Sequence, residues 1–226
     1  MNTEYKKLSE IEYLIDYPRD YKDGERRPVI ILMNGAGTRG CDIDKIIPNS
    51  LYFKSTAEFD DFPFITVVPR CPADRTWFDY FETIKAIVNE VVEADFTDKK
   101  RIYLMGVSMG GYAAWQLGMS MPRVFAAIVP ICGGGMYWNA SRLKNTPVWA
   151  FHGKLDTTVF PEESEKMVNA IIKKGGEARL TIYPENAHDA WSPTFANKEV
   201  FDWLLSKTNN DEELARDSSH DGAKFG

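Results

Sequence analysis

The sequence predicts an α/β fold: an open, doubly wound, mostly parallel sheet with helices on both faces. Three observations carry that expectation. Short apolar runs rich in β-branched residues alternate with longer segments of helical period. From Val29 onward several of the runs are nearly continuously apolar, as strands buried on both faces of a parallel sheet must be. A chain of 226 residues is long enough for one large core and shows neither an internal repeat nor a linker, so 1–206 is read as one domain and the polar stretch 207–226 as a partly disordered tail.

Taken in order, the strands are IEYLIDY (11–17), expected to join the edge antiparallel, then VIILMN (29–34), FITVVP (64–69), RIYLMG (101–106), AAIVPI (126–131), PVWAFH (147–152) and RLTIYP (179–184). Between them, Trp77 to Ala94 carries Phe81, Ile84, Ile87 or Val88, Val91 and Val92 at helical spacing. Further helices fit 109–120, 161–174 and 197–206.

A net charge of -6 argues against nucleic acid or an anionic membrane as the main partner. No apolar run is long enough to span a bilayer. The opening MNTEYKKLSEIEYLIDY has no apolar signal-peptide core, so the expected location is cytoplasmic, or secreted if a leader was cut away. Cys41, Cys71 and Cys132 have no metal spacing and read as reduced thiols, with a Cys41–Cys71 bridge left open.

The run VIILMN leads into Gly35-Ala36-Gly37-Thr38-Arg39-Gly40, letter for letter the G-x-G-x-x-G of a dinucleotide-binding turn. That fingerprint needs a helix opening at its third glycine. Here CDIDKIIPNS follows, with Asp42 and Asp44 near its start and Pro48 close behind, a poor crossover helix. The next apolar run ends in Arg70, where a ribose-binding turn places an acid.

The decisive segment is RIYLMGVSMGGYAAWQLG, in which a strand runs through Gly106-Val107-Ser108-Met109-Gly110-Gly111 straight into a helix. This is the G-x-S-x-G nucleophile elbow. Its turn strains the serine backbone and stands Oγ at a helix N-terminus, where negative charge is favoured. Enzymes built on this elbow carry Ser, then Asp or Glu, then His along the chain. Asp156 follows the strand PVWAFH, and His188 follows RLTIYP, both beyond carboxyl ends of strands, where the loops of such sheets converge. Of the other histidines, His220 sits in the tail, and His152, just before Gly153, reads as support for the acid loop with a second reading as the base. Glu185 and Asp189 stay open as alternative orienting acids. An acyl-transfer serine also needs two backbone N–H groups for the oxyanion, one from the residue after it, Met109, and one from a loop after an early strand. Asn34-Gly35-Ala36-Gly37 is read as that loop, which makes the dinucleotide match a coincidence.

With these residues in place the chain resembles an α/β-hydrolase of the compact carboxylesterase kind, similar to the phospholipase/carboxylesterase and feruloyl-esterase-like groups. The resemblance is carried by LMNGAGTRG, RTWFDYFE, GVSMGGYAAW, HGKLDTTVFP and NAHDAW, spread from Val29 to Leu205. GAGTRG also resembles the GAGERG of a group often labelled predicted peptidases. The resemblance implies Ser108 as nucleophile, His188 as base, Asp156 as orienting acid, and the backbone of Ala36 and Met109 as oxyanion hole. It departs at Asn34, where the family usually has His, a change expected to alter loop support more than function. Serine at the elbow points away from the cysteine of dienelactone hydrolases and the aspartate of dehalogenases.

The expected function is therefore a serine carboxylic-ester hydrolase working through an acyl-enzyme, requiring no metal and no organic cofactor. Only CGGGMYWNASRLKNT separates Ile131 from Pro147, where many lipases insert a helical lid, so an open site for short-chain acyl groups or for acetyl and feruloyl esters on saccharides is expected. Candidate lining residues are Asn34, Gly35, Trp77, Phe78, Trp138 and Trp191, with Tyr137 beside them, against core packing as the commoner role of any one aromatic. The rival readings are a serine peptidase of the prolyl-oligopeptidase-like kind, which generally carries an extra domain, an acyl thioesterase, and a non-catalytic binding module, which would have lost a triad member. The expected partner is a small-molecule or saccharide-linked ester, and the expected assembly a monomer or small homo-oligomer.

Overall fold

The computed structural model describes residues 2–43, 45–46 and 62–209. Its strands are β1 (Asn2–Leu8), β2 (Ile11–Tyr17), β3 (Arg27–Met33), β4 (Ile65–Pro69), β5 (Thr97–Val107), β6 (Ala127–Ile131), β7 (Val148–Gly153) and β8 (Ala178–Tyr183). They form one sheet in the order β1-β2-β4-β3-β5-β6-β7-β8. From β4 to β8 every neighbouring pair is parallel, and β2 alone runs against the rest, antiparallel to both β1 and β4. The α-helices are α1 (Phe81–Glu93), α2 (Met109–Ser120), α3 (Glu162–Lys173), α4 (Trp191–Ala196) and α5 (Lys198–Leu205). The doubly wound, mostly parallel architecture expected from the sequence is the one found.

The strands sort their side chains by parity, as a pleated sheet buried on both faces requires. On β3, Val29, Ile31 and Met33 face one core, where α1, α2 and α3 deliver Ile84, Val88, Trp115, Met167 and Ile171. Ile30 and Leu32 face the other, where α4 and α5 deliver Phe195, Phe201 and Leu204. Helix α5 starts on a polar cap, the Asn197 side chain accepting the Glu199 N–H at 3.0 Å.

Three details differ from the sequence reading. Strand β1, NTEYKKL, has no apolar face to betray it, yet pairs with β2 from Asn2↔Tyr17 to Leu8↔Ile11. β2 is therefore interior, antiparallel to β1 on one side and β4 on the other. Helix α4 also went unforeseen, being six residues long with Pro193 in its first turn, where a missing N–H costs nothing. Asp44, Pro48, His220 and the expected tail from residue 210 onward lie outside the described residues, while Asn209 N–H still bonds the Lys100 carbonyl at 2.8 Å.

The strand order places the site. The chain leaves β3 for β4 on one side and then returns to β5 on the other, so the loops after β3 and β5 diverge over a shared crevice. Met33 pairs with Gly106 in the β3–β5 ladder, which sets Asn34-Gly35 directly beside Val107-Ser108.

The second core gives a test of the layering. Phe64 is fully buried, with ring centroids of Phe62, Tyr103 and Phe201 at 5.1, 5.8 and 6.2 Å. Phe64→Ala is expected to lower unfolding free energy by about 3–5 kcal/mol, read from urea midpoints at constant slope. A loss under about 1 kcal/mol would mean that the α5 face is not tightly packed there.

Candidate active site

Strand β5 ends at Val107 and α2 begins at Met109, so Ser108 alone makes the turn. It does so at φ 55 and ψ -116, a region that side-chain-bearing residues rarely occupy. The surroundings enforce it. A Cβ on Gly106 would lie 2.0 Å from the Gly110 carbonyl oxygen, and one on Gly110 would lie 1.9 Å from that of Met33. Only glycine permits β3, the turn and α2 to approach this closely.

The structure brings Ser108, His188 and Asp156 together from three loops. His188 Nε2 lies 2.8 Å from Ser108 Oγ, and its Nδ1 donates to Asp156 Oδ2 at 2.7 Å. Because the carboxylate holds the proton on Nδ1, the neutral ring keeps an acceptor pair at Nε2 facing the serine hydroxyl. Asp156 is buried, and its Oδ1 accepts the backbone N–H groups of Thr158 and Val159, each at 2.9 Å. Burial alone would raise the Asp156 carboxyl, and the hydrogen bonds from His188, Val159 and Thr158 outweigh it and hold the group below its usual 3.8.

His152, on β7, is wholly buried and bonds the acid loop instead of the serine. Its Nε2 donates to the Val159 carbonyl at 2.9 Å and sits 3.3 Å from Asp156 Oδ2, while Nδ1 lies 2.8 Å from Ser164 Oγ. That geometry sets aside His152 as the base. Asp189 is equally occupied elsewhere, its carboxylate accepting Ser192 N–H and Oγ–H at 3.0 and 2.8 Å at the start of α4.

The loop after β3 lies against the elbow. A Cβ on Gly35 would be 3.4 Å from the Val107 carbonyl oxygen and 3.6 Å from Ser108 Cβ. Ala36–Thr38 form a 3-10 turn. Among the described residues neither Ala36 nor Met109 donates its backbone N–H to a backbone acceptor. A developing oxyanion requires backbone donors that are not already engaged in this way.

Of the remaining lining candidates, Phe78 and Trp138 are exposed, as is Tyr137, and Trp191 stands edge-on to His188 with centroids 5.6 Å apart. Trp77 is a correction: it is fully buried, offers no surface to a ligand, and donates its indole N–H to the Asn34 carbonyl at 2.8 Å. The Asn34 side chain is buried as well. Leu155 and Phe160, exposed on the Asp156 loop, went unnoticed in the sequence, although two bare apolar residues in the polar stretch KLDTTVFPEE were the available signal.

The three thiols are free. Cys71 packs into the core under α1 and Cys41 against the opposite one, so the bridge left open by the sequence is not made. Burial pushes Cys71 up to about 11 and Cys132 up to about 12, leaving both as poor nucleophiles at neutral pH. Among the described residues no group of three His, Cys, Asp or Glu side chains is placed to hold a metal, and no helix is long and apolar enough to cross a membrane.

Residues 48–213, well over half of the chain, match the dienelactone hydrolase family, and the matched stretch contains Ser108, Asp156 and His188. The chain belongs to the dienelactone hydrolase family. The expectation that an elbow serine points away from dienelactone hydrolases is thereby corrected: this member of the family carries serine at its elbow. Among solved structures the chain is similar to a thermostable esterase, with 28% identity and a TM-score of 0.77 over 91% of this chain and 62% of that one. It is also similar to Est1E from Butyrivibrio proteoclasticus, at 16% identity and TM-score 0.69 over 90% of this chain and 98% of that one, a likeness of fold. Among curated proteins it is similar to dipeptidyl-peptidase 5 of Porphyromonas gingivalis, 22% identical over 157 residues. That match takes in 52% of this chain and only 23% of the peptidase. An α/β-hydrolase fold of the ester-cleaving kind, expected from the sequence, agrees with the family and these structures.

The depressed Asp156 carboxyl has a measurable consequence. A carboxyl held below its unfolded value stabilises the fold above that value, and the contribution disappears as pH falls through the lower, folded-state value. The wild type is expected to lose stability from about pH 5 down to about pH 3 more steeply than Asp156→Asn, which has no proton to gain. Urea midpoints measured across that range test this, and parallel curves would contradict it.

Proposed function

We propose that this family member is a serine carboxylic-ester hydrolase acting on short-chain or saccharide-borne esters. One observation carries the reading: an Oγ–Nε2 contact of 2.8 Å and an Nδ1–Oδ2 bond of 2.7 Å, set on a strained elbow. In this scheme His188 Nε2 takes the Ser108 proton as Oγ bonds to the ester carbonyl carbon. The carbonyl oxygen becomes an oxyanion held by Ala36 and Met109 N–H, each donor contributing about 10²–10³ in rate. Collapse breaks the ester C–O bond, and His188 gives its proton to the departing alcohol. Water, deprotonated by His188, then attacks the acyl-enzyme, and the same steps release the acid and restore the serine. Asp156 stabilises the imidazolium at each passage.

The substrate class rests on the surroundings of the serine. Between β6 and β7 stands a 3-10 stretch, Tyr137–Leu143, in place of a large helical lid. Phe78, Met136, Tyr137, Trp138, Leu155 and Phe160 are exposed on loops at the carboxyl edge of the sheet, where the serine also lies. Flat exposed aromatics there suit an aromatic acyl group or a sugar ring better than a long acyl chain. The likeness to a thermostable esterase supports ester cleavage. The likeness to a dipeptidyl-peptidase favours a second reading, attack on an amide by the same triad.

Ser108→Ala is expected to lower kcat on p-nitrophenyl acetate by about 10⁴-fold or more, His188→Ala by a similar factor, and the double variant by little more than either. An active Ser108→Ala would remove the proposal. Because each buried CH₂ contributes only about 0.8 kcal/mol and an open cleft buries few, kcat/KM should be high on acetate and butyrate, low on decanoate and near background on palmitate. Methyl ferulate, acetylated xylan and a peptide anilide complete the panel. Palmitate as the best substrate contradicts the open site, and the anilide as the best substrate moves the protein to the peptidases.

A further inference from the structure

We propose that Trp77 is a positioning residue for the oxyanion-binding N–H of Ala36, acting through the carbonyl of Asn34. The inference rests on the reading of Ser108 as nucleophile and of Ala36 and Met109 as oxyanion donors. Trp77 is completely buried, and its indole N–H donates to the Asn34 carbonyl oxygen at 2.8 Å. A buried indole N–H needs an acceptor, and Trp77 takes it from the first peptide beyond the β3–β5 ladder, whose last pair is Met33↔Gly106.

Within the loop, Thr38 N–H and Oγ–H bond the Gly35 carbonyl at 3.4 and 3.2 Å, and the Trp77 indole adds a tie from outside it. Gly35, Ala36 and Gly37 have almost no side chains, so their position depends on what grips their backbone. The far end is tied to the segment after β4 at its surface. There Gly40 N–H bonds the Cys71 carbonyl at 2.9 Å, Arg39 Nη1 the Arg75 carbonyl at 3.2 Å, and Arg70 Nη1 the Cys41 carbonyl at 3.2 Å. The near end is gripped in the interior. On one side of the Asn34 carbonyl stands the indole, and on the other the first turn of α2, where a Cβ on Gly110 would come within 2.8 Å of the same oxygen.

Rotation of the 34–35 peptide would carry Gly35 with it and swing the next N–H, that of Ala36, away from the serine. An oxyanion donor works within a few tenths of an ångström of 2.7–3.1 Å, and a displacement of about 1 Å can cost roughly 10²-fold in rate. A buried neutral N–H on a rigid bicyclic ring suits the task, because it fixes the carbonyl without placing a charge beside a site where negative charge must develop. Trp77 makes no contact with the reacting atoms, so the effect is expected on the transition state and not on substrate binding.

The test replaces Trp77 by 3-benzothienylalanine, which keeps the bicyclic shape and puts sulfur where the N–H was, with Trp77→Phe as companion. The expected result on p-nitrophenyl acetate is a kcat about 10- to 100-fold lower with KM within about twofold. Inhibition by phenylboronic acid, whose Ser108 adduct places an oxygen in the hole, should weaken by a similar factor. On an Ala36→Pro background, where the donor is already gone, the same replacement should cost less than about twofold. A benzothienyl variant with unchanged kcat, a loss shared equally by KM, or a full loss on the Ala36→Pro background would each overturn the proposal. Loss of rate in Ser108→Ala with full rate in the benzothienyl variant sinks the Trp77 inference alone. A wild-type rate in Ser108→Ala sinks the reading beneath it.

Discussion

The contact between the end of β3, the Ser108 turn and the first turn of α2 has no slack: added Cβ atoms at Gly106 and Gly110 would sit 2.0 and 1.9 Å from carbonyl oxygens. From that tightness the other features of the site follow. The Ser108 backbone has no alternative to φ 55, since relaxing it would move α2 away from β3. The Met109 N–H opens α2 and, among the described residues, bonds no backbone acceptor, and the loop after β3 is pressed against the serine because its parent strand is locked in register with β5. The acid and base loops then need only reach the same point from β7 and β8, which parallel neighbours deliver at one edge of the sheet.

Where the sequence could be read, and where it could not, follows from how far local letters express long-range contacts. The buried parallel strands were visible because burial on both faces leaves no room for polar residues, as in VIILM and IYLM. β1 was invisible because an edge strand needs only a backbone partner, and NTEYKKL has the composition of a loop. The N-terminal part of β5, TDKK, was lost because it runs beyond the stretch paired with β6 and shares the polar composition of a loop. The convergence of Ser108, Asp156 and His188 was legible because the elbow dictates its own glycines and the strand order dictates where the partners lie. Trp77 was not, since an aromatic residue between Arg75 and Phe78 looks the same whether its ring meets a ligand or carries a hydrogen bond into the interior.

The acid loop shows how a buried charge is kept. Asp156 receives two backbone N–H groups and one imidazole N–H, and a second, fully buried imidazole, His152, lies within 3.3 Å. His152 also grips the Val159 carbonyl, so the residue that presents one of those N–H groups is held at its carbonyl as well as its N–H. Removing such a network piecemeal exposes a carboxylate to an apolar interior, which is far costlier than never building it. The contact of Ser164 Oγ with both His152 and the Gly133 carbonyl extends the network from α3 to the end of β6, so the acid is coupled to the helix that follows it.

The positive φ of Ser108 puts evolvability and durability in opposition at one residue. A strained side-chain-bearing residue of this kind costs about 1–3 kcal/mol that glycine would not. A population of variants sorted for heat resistance alone would therefore find an easy gain at the position proposed as the nucleophile. Enrichment for robustness in this scaffold has to be coupled to selection for catalysis, or it drifts toward a sturdier and silent protein.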